Sequence, residues 1–287
     1  MADERPCYLD GAFLPLAEAR ISPLDRGFLL GDGVYEVIPA YGGRPFRLGV
    51  HLERLERSLA AVRMAPPLDR VAWREVLERL AAQVGGGDVK LYLQVTRGAP
   101  ANRDHAFPAA TAPGVFAMAE PLAPPEPRGF RAVVLPDIRW RRCDIKTTAL
   151  LPNVLLRQQA VDAGADEALL VREDALTEGA ASNVLLVRDG VVVTPVQSTD
   201  LLPGVTRDLV LELAAAEGLA CEQRRVDIAE LTAADEIWLT SSTKEVVPVV
   251  ELDGRPVGPG EPGPVYRQVR AAFEALKQRL RDGEGSM

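Results

Sequence analysis

Lys146 is the residue of this sequence most open to amine chemistry. The chain carries four lysines (Lys90, Lys146, Lys244 and Lys277) and, among 33 basic residues, 33 − 4 = 29 arginines. Arginine stays protonated in proteins, whereas a lysine amine can lose its proton where its surroundings require it. A chain that writes arginine almost everywhere has a use for lysine where an amine must become neutral; the bland alternative is a surface ion pair placed by chance. Lys146 lies in Arg139-Trp-Arg-Arg-Cys-Asp-Ile-Lys-Thr-Thr148, after an apolar run, Phe130 to Leu135, that reads as a buried strand.

Other polar groups are placed where ligands are usually held. Pro203-Gly-Val-Thr206 opens a predicted helix, so Gly204, Val205 and Thr206 offer backbone N–H groups, a hydroxyl and the positive end of a helix dipole to a phosphate. Ser241 and Ser242 add hydroxyls in a tight turn, and Arg54, beside the apolar stripe of a helix, can supply charge. Glu178 falls in a small-residue loop, Thr177-Glu-Gly-Ala-Ala-Ser182, where a carboxylate suits an ion pair or a protonated heterocycle equally. Arg103 and His105, two apart in an irregular loop, form a candidate carboxylate clamp. Each feature alone also has an ordinary structural explanation. Together, an amine, a phosphate cradle, an acid for a ring nitrogen and a carboxylate clamp are the needs of a pyridoxal-phosphate enzyme acting on amino acids. A nucleotide site would leave Lys146 and Glu178 without roles, and nucleophilic hydrolysis lacks its Gly-x-Ser-x-Gly elbow. Gly31-Asp-Gly33 is not a dinucleotide fingerprint, because no third glycine follows and Val34 to Tyr41 reads as strand.

The elements that must position these groups are legible from periodicity. Cys7 to Pro15 is a hairpin turning at Asp10-Gly11, and Asp25 to Val37 is a glycine-rich loop running into a strand. Leu48, Leu52, Leu55, Leu59 and Val62 share one face of a helix over 49–62, with His51 and Arg54 next to it. A second helix covers 69–84 and stops at Gly85-Gly86-Gly87. Alternation at 88–96 predicts a half-buried strand, followed by a polar loop and a strand over 114–119. Pro121 to Arg128 holds four prolines in eight residues, a stiff linker. The expected organisation is an N-terminal α/β domain over 1–120, the linker 121–128, and a larger C-terminal cofactor-binding domain over 129–287. In the second half, helices are expected over 153–163, from Leu201 to about Glu217 and over 265–281. Strands are expected over 167–172, 183–187, 191–195, 219–226, 236–240 and 246–252. Without a regular βαβ alternation, both domains are mixed α/β with largely antiparallel or mixed sheets.

Composition narrows the function classes. Apolar residues make up 47% and charged residues 26%, an ordinary globular balance. A net charge of −8 argues against nucleic acid. There is no apolar run of transmembrane length, and Met1-Ala-Asp-Glu-Arg-Pro6 has no signal-peptide pattern. Cys7, Cys143 and Cys221 are far apart, which suits reduced thiols in a cytoplasm, and two histidines leave little for a metal site.

The sequence resembles the fold-type IV pyridoxal-phosphate enzymes, and among them the D-amino-acid aminotransferases. The resemblance runs nearly end to end. It is carried by Asp25-Arg-Gly, Gly31-Asp-Gly-Val-Tyr-Glu-Val37, His51-Leu-Glu-Arg54, Val95-Thr-Arg-Gly98, Arg142-Cys-Asp-Ile-Lys146, Thr177-Glu-Gly, Ser182-Asn183, Gly204-Val-Thr-Arg207 and Thr240-Ser-Ser-Thr-Lys-Glu245. It implies a two-domain fold whose C-terminal domain is barrel-like, and Lys146 as the Schiff-base lysine of pyridoxal 5′-phosphate. It further implies Glu178 as partner of the pyridine nitrogen, Leu202 against the ring, and Arg54, Gly204, Val205, Thr206, Ser241 and Ser242 around the phosphate. Tyr35, Arg103 and His105 match the trap for the substrate carboxylate, the last two reaching in from the partner of a homodimer. The implied activity moves the amino group of a D-amino acid, such as D-alanine, to a 2-oxo acid such as 2-oxoglutarate. Branched-chain L-amino-acid or (R)-amine transamination and aminodeoxychorismate lyase chemistry are the alternatives on the same scaffold. One departure stands out: the loop from Arg97 to Arg103 is one residue longer than the family pattern, and Asp104 puts a negative charge between the two trap residues.

Overall fold

The computed structural model describes residues 4–85, 87–126 and 128–284. Gly86 of the triglycine, Pro127 of the proline-rich segment and residues 1–3 of the N-terminal segment therefore lie outside the described residues. By packing, the described chain forms two compact units. One takes residues 4–123, 145–150 and 279–284, and the other 124–144 and 151–278. The division in chain order falls within the proline-rich segment. The short stretch 145–150 around Lys146 nevertheless groups with the first unit while its neighbours on both sides group with the second, which no composition signal announces.

The first unit opens with β1 (Pro6–Leu9) and β2 (Ala12–Pro15). Asp10 and Gly11, at φ +47° and +98°, make their turn, a left-handed pair that favours Asp-Gly. Then come α1 (Arg26–Leu30), β3 (Gly33–Tyr41), β4 (Arg44–Pro45), α2 (Leu48–Ala61), α3 (Arg70–Gln83), β5 (Val89–Thr96) and β6 (Gly114–Pro121). The strands form one antiparallel sheet in the order β2-β1-β6-β5-β3-β4. The alternation of β5 buries Val89, Leu91, Leu93 and Val95 against Leu52, Leu55 and Leu59 of α2 and Leu77 and Leu80 of α3. Asp69 caps α3 by accepting the Ala72 N–H at 2.8 Å. The glycine-rich loop expected before β3 contains the five-residue helix α1, because Asp25 caps it through the Gly27 N–H at 2.7 Å.

The second unit contains β7 (Phe130–Pro136), α4 (Leu151–Asp162), β8 (Glu167–Arg172), β9 (Ala175–Gly179), β10 (Asn183–Arg188) and β11 (Val191–Thr194). It continues with α5 (Val205–Ala216), β12 (Cys221–Gln223), α6 (Ile228–Thr232), β13 (Glu236–Ser241), β14 (Glu245–Leu252) and β15 (Arg255–Pro256). The helix α7 (Pro264–Arg281) ends the described fold. Its sheet runs β12-β11-β10-β13-β14-β7-β8-β9, with β15 beside β14. The pairs β11/β12, β14/β7 and β7/β8 are parallel, so this sheet is mixed. The sheet is curled into a half-barrel, with β9 brought near β10 by the short link 180–182. Trp238, Leu239 and Val247 are buried in it. The mixed α/β fold expected from sequence is the fold found.

Two local expectations fail. The loop expected at Thr177 to Ser182 begins as a strand, because Ala175–Gly179 pairs antiparallel with β8. Its polar Thr177 and Glu178 hide the strand signal because both are buried and hydrogen-bonded rather than solvated. The strand expected over 219–226 shrinks to Cys221–Gln223, the part that pairs with β11.

Candidate active site

In the first unit, Lys146 is fixed by its backbone. Its N–H donates to Ser58 Oγ of α2 at 3.2 Å, and its carbonyl accepts the Tyr35 N–H of β3 at 3.0 Å. Thr147 bridges to Val34, and the Thr148 N–H donates to the Gly33 carbonyl at 3.0 Å. Ile145 is buried in the unit's core, which pins the segment from the other side. The Lys146 side chain then lies over Tyr35, with Nζ 4.1 Å from the ring centroid. The other lysines are all tied to carboxylates: Lys90 to Glu120, Lys244 to Glu167 and Lys277 to Glu245. Among the described residues the Lys146 amine makes no ion pair. Beside the aromatic face of Tyr35, it is close enough to His51 for its charge to disfavour a second one on that imidazole.

His51 belongs to a buried triad. Glu36 on β3 accepts Arg54 Nε at 2.7 Å and Nη2 at 2.8 Å, and His51 Nδ1 lies 2.9 Å from it. All three side chains are at most 4% exposed. Burial alone would raise the Glu36 carboxyl, but Arg54 and His51 outweigh it and hold the acid far below the usual carboxylate range. Burial pushes the His51 imidazole below its ordinary value against the pull of Glu36. Arg54, expected at a phosphate, is therefore held in a bidentate pair that orients its guanidinium. Tyr35 stacks on Tyr92 at 5.7 Å, whose hydroxyl donates to Gln94 at 2.7 Å. Arg103 and His105 are exposed on the loop between β5 and β6. Neither side chain makes a hydrogen bond with another described residue, with Tyr35 or otherwise. Asp104 between them accepts the Ala106 N–H at 3.2 Å, and the Ala106 and His105 N–H groups hold its carboxyl below the usual range. Its charge is engaged by the loop's own turn.

In the second unit, Glu178 stands on β9 with three donors. Arg139 Nη1 contacts Oε1, while Asn183 Nδ2 and the Leu202 N–H each donate to Oε2 at 3.0 Å. Burial pushes the Glu178 carboxyl above its ordinary value despite Arg139. Arg139 is shared, since its Nε and Nη2 also hold Asp137 at 2.9 and 2.8 Å. Arg172 joins Asp137 to Asp200. Asp137, Glu178 and Asp200 thus share the guanidiniums of Arg139 and Arg172, and Arg141 approaches Asp200 at 3.9 Å. Sequence reasoning missed Arg139 and Asn183 as supports for Glu178, although Asn183 stands in a sequence motif and Asp137-x-Arg139 follows the strand end.

The same neighbourhood contains the helix start. Asn183 Nδ2 also donates to the Leu202 carbonyl at 2.9 Å, so Leu202 is held through both its amide groups. Gly204 is the N-cap of α5, with no side-chain cap, and a Cβ there would lie 1.8 Å from Asn183 Oδ1. The N–H groups of Val205 and Thr206 open a 12-residue helix. Thr240, paired with Asn183, leads into Ser241 and Ser242, and Ser241 Oγ accepts the Lys244 N–H at 3.1 Å. An uncapped helix start and a turn of hydroxyls suit a phosphate, and a buried carboxylate aimed by three donors suits a protonated ring nitrogen. These residues fit pyridoxal 5′-phosphate.

Comparison with known proteins gives the family. The pattern described as "Amino-transferase class IV" matches residues 33–252. The chain belongs to the class IV aminotransferases. It is a pyridoxal-phosphate-dependent enzyme. It is 40% identical over 268 residues to a D-alanine aminotransferase of Bacillus licheniformis, covering 92% of this chain and 94% of that one. To a D-alanine aminotransferase of Staphylococcus haemolyticus it is 37% identical, covering 93% and 95%. Among solved structures it matches a branched-chain aminotransferase from the thermophilic archaeon Thermoproteus uzoniensis with norvaline. That match has a TM-score of 0.85 and 26% identity, covering 98% of this chain and 96% of that one. The Escherichia coli branched-chain enzyme, at 24% identity and TM-score 0.88, shares the fold over 95% and 94% of the two chains.

Proposed function

We propose that this aminotransferase moves the amino group of a D-amino acid, D-alanine among them, to a 2-oxo acid such as 2-oxoglutarate. Pyridoxal phosphate, when bound, supplies a carbonyl that condenses with amines and a ring that accepts the electrons left at the substrate Cα. Lys146 is the residue that carries it covalently. The observation behind this assignment is that Lys146 alone of the four lysines makes no ion pair among the described residues, so no carboxylate ties up its amine. With the cofactor bound, Lys146 Nζ would be the base that moves the substrate Cα proton. Glu178 would hold a proton on the ring nitrogen, and its three donors keep the carboxylate aimed. In the second unit the Val205 and Thr206 N–H groups, with Ser241 and Ser242, would hold the phosphate and Leu202 would lie against the ring; the family resemblance adds Arg54 of the first unit to the phosphate ligands.

Tyr35, Arg103 and His105 bind the substrate carboxylate in a homodimer, where each subunit's loop lends its arginine and histidine to the other. The exposed, hydrogen-bond-free side chains of Arg103 and His105 are what such a role needs. Two curated relatives at 37–40% identity carry the name D-alanine aminotransferase, which supports the D-amino acid over the branched-chain substrates named for the structural neighbours. A cytoplasmic location accords with the three free cysteines. The test is to follow the visible cofactor band of the purified holoenzyme while adding D-alanine or L-alanine. Loss of the band with the D-isomer alone is expected; loss with the L-isomer alone, or with neither, contradicts the substrate assignment.

A further inference from the structure

The loop between β5 and β6 carries Arg103 and His105 on irregular backbone, and such backbone holds a geometry only where something fixes it. What fixes it is the Asp25-Arg26-Gly27 turn. Asp25 Oδ2 accepts the Thr96 hydroxyl at 2.8 Å, at the end of β5. The Arg26 N–H donates to the Gly98 carbonyl at 2.9 Å, where the loop leaves the strand. The Arg26 side chain, 5% exposed, then reaches the loop's far side. Its Nη1 donates to the Asp104 carbonyl at 2.5 Å and the Ala106 carbonyl at 3.1 Å, and its Nη2 to the His105 carbonyl at 3.3 Å. Its Nε donates to Asp32 Oδ2 at 2.7 Å.

Three successive carbonyls thus converge on one guanidinium whose plane is set by a carboxylate. A lysine ammonium, with three donors on a flexible stem, cannot span that arc. Asp32 also holds Arg97 through Nε at 2.8 Å and Nη2 at 3.0 Å. Arg97 in turn lies over the Phe107 ring at 3.8 Å, one residue beyond the carbonyls that Arg26 gathers. Glycine is required at both close approaches: a Cβ on Gly27 would lie 2.3 Å from Thr96 Cγ2, and one on Gly98, at φ +83°, 2.0 Å from the Ala112 carbonyl oxygen.

We infer that Arg26 is the positioning residue of the substrate-carboxylate loop, fixing the backbone of Asp104, His105 and Ala106 so that Arg103 and His105 hold one geometry, with Arg97 on Phe107 as a second fastening. This rests on the reading of Arg103 and His105 as the carboxylate clamp. Arg26 touches neither substrate nor cofactor in this scheme; it acts through the loop.

The experiment compares Arg26→Gln and Arg26→Lys holoenzymes with the parent for kcat and KM toward D-alanine, and for competitive inhibition by propionate. Loss of positional precision in a clamp is expected to raise both KM and the inhibition constant about 10-fold or more, with kcat within about 3-fold. The visible cofactor band should be retained, which separates loop positioning from general damage. Arg26→Lys should resemble Arg26→Gln rather than the parent. An unchanged KM in a cofactor-loaded Arg26→Gln enzyme overturns the inference. If neither Arg26 variant folds, Phe107→Ala decides, because that side chain is 49% exposed: a KM rise of about 3-fold or more supports the fastening, and an unchanged KM overturns it. Arg103→Ala is the separate control. If it leaves KM unchanged, the clamp reading itself fails; if it raises KM while Arg26 and Phe107 variants do not, only the positioning role fails.

Discussion

Adding one methyl group at Gly204 should damage the setting of Glu178, the acid proposed to face the cofactor ring, though Gly204 does not touch it. The backbone φ of Gly204 is −78°, which any residue adopts, so the cost of Gly204→Ala is one of space. The new Cβ would lie 1.8 Å from Asn183 Oδ1 and 3.0 Å from its Cγ, so the Asn183 amide must leave. With it go the bond to Glu178 Oε2 at 3.0 Å and the bond to the Leu202 carbonyl at 2.9 Å. The first has a charged acceptor and is worth about 1.5–3 kcal/mol; the second, neutral, about 0.5–1.5 kcal/mol. Gly204→Ala should therefore destabilise by roughly 2–4.5 kcal/mol, since the poorer N-cap and the stiffer unfolded chain offset each other. Urea unfolding of the apoprotein measures this, and titration with pyridoxal phosphate should show weaker binding. Asn183→Ala removes the same two bonds and also the obstructing atoms. Adding Gly204→Ala to it should then cost less than about 1 kcal/mol. If Gly204→Ala costs as much with Asn183→Ala as without it, the damage does not run through Asn183 and the reasoning is wrong.

Two further outcomes follow from buried polar groups. Burial raises the Asp32 carboxyl, but Arg97 and Arg26 outweigh it and hold it below its ordinary value. A lowered folded-state pKa gives stability that is complete above the unfolded value, near ~4, and lost as pH falls through the folded one. Asp32→Asn should thus be destabilising at pH 7, and its deficit against the parent should shrink on acidification below about pH 4; a deficit that grows there contradicts the ion-pair assignment. Thr240 is buried and its Oγ1 has no partner among the described residues. Thr240→Val should leave apoprotein stability unchanged or raise it by up to about 1 kcal/mol, and a clear loss would mean that the hydroxyl is satisfied.

Much of the fold was legible because its signals are local. The β5 alternation, the α2 and α3 faces and the Asp10-Gly11 turn each follow from a few neighbouring residues, and each element is found within one or two residues of its expected limits. What sequence could not show is burial of polar groups by partners far along the chain. Glu178 reads as a loop residue because nothing near it in sequence says that Arg139, 39 residues earlier, lies against it. Arg26 reads as part of a glycine-rich turn because its partners are some 80 residues away. Glu36 and His51, 15 apart, sit on a strand and a helix whose register alone brings them together. Asp104 reads as an added charge facing substrate, whereas its carboxylate is engaged by the loop's own backbone. Family resemblance points to residues that touch ligands; the structure adds those that hold them.

The central claim is that Lys146 carries the cofactor, and four lysines make it a clean choice. Borohydride reduction of the holoenzyme followed by peptide mass mapping reads the answer directly. The phosphopyridoxyl mass is expected on the peptide containing Lys146, and the visible band should be absent from Lys146→Ala. Label on Lys90, Lys244 or Lys277, each tied to a carboxylate here, or a Lys146→Ala enzyme that keeps its band and turns over D-alanine, would contradict the account.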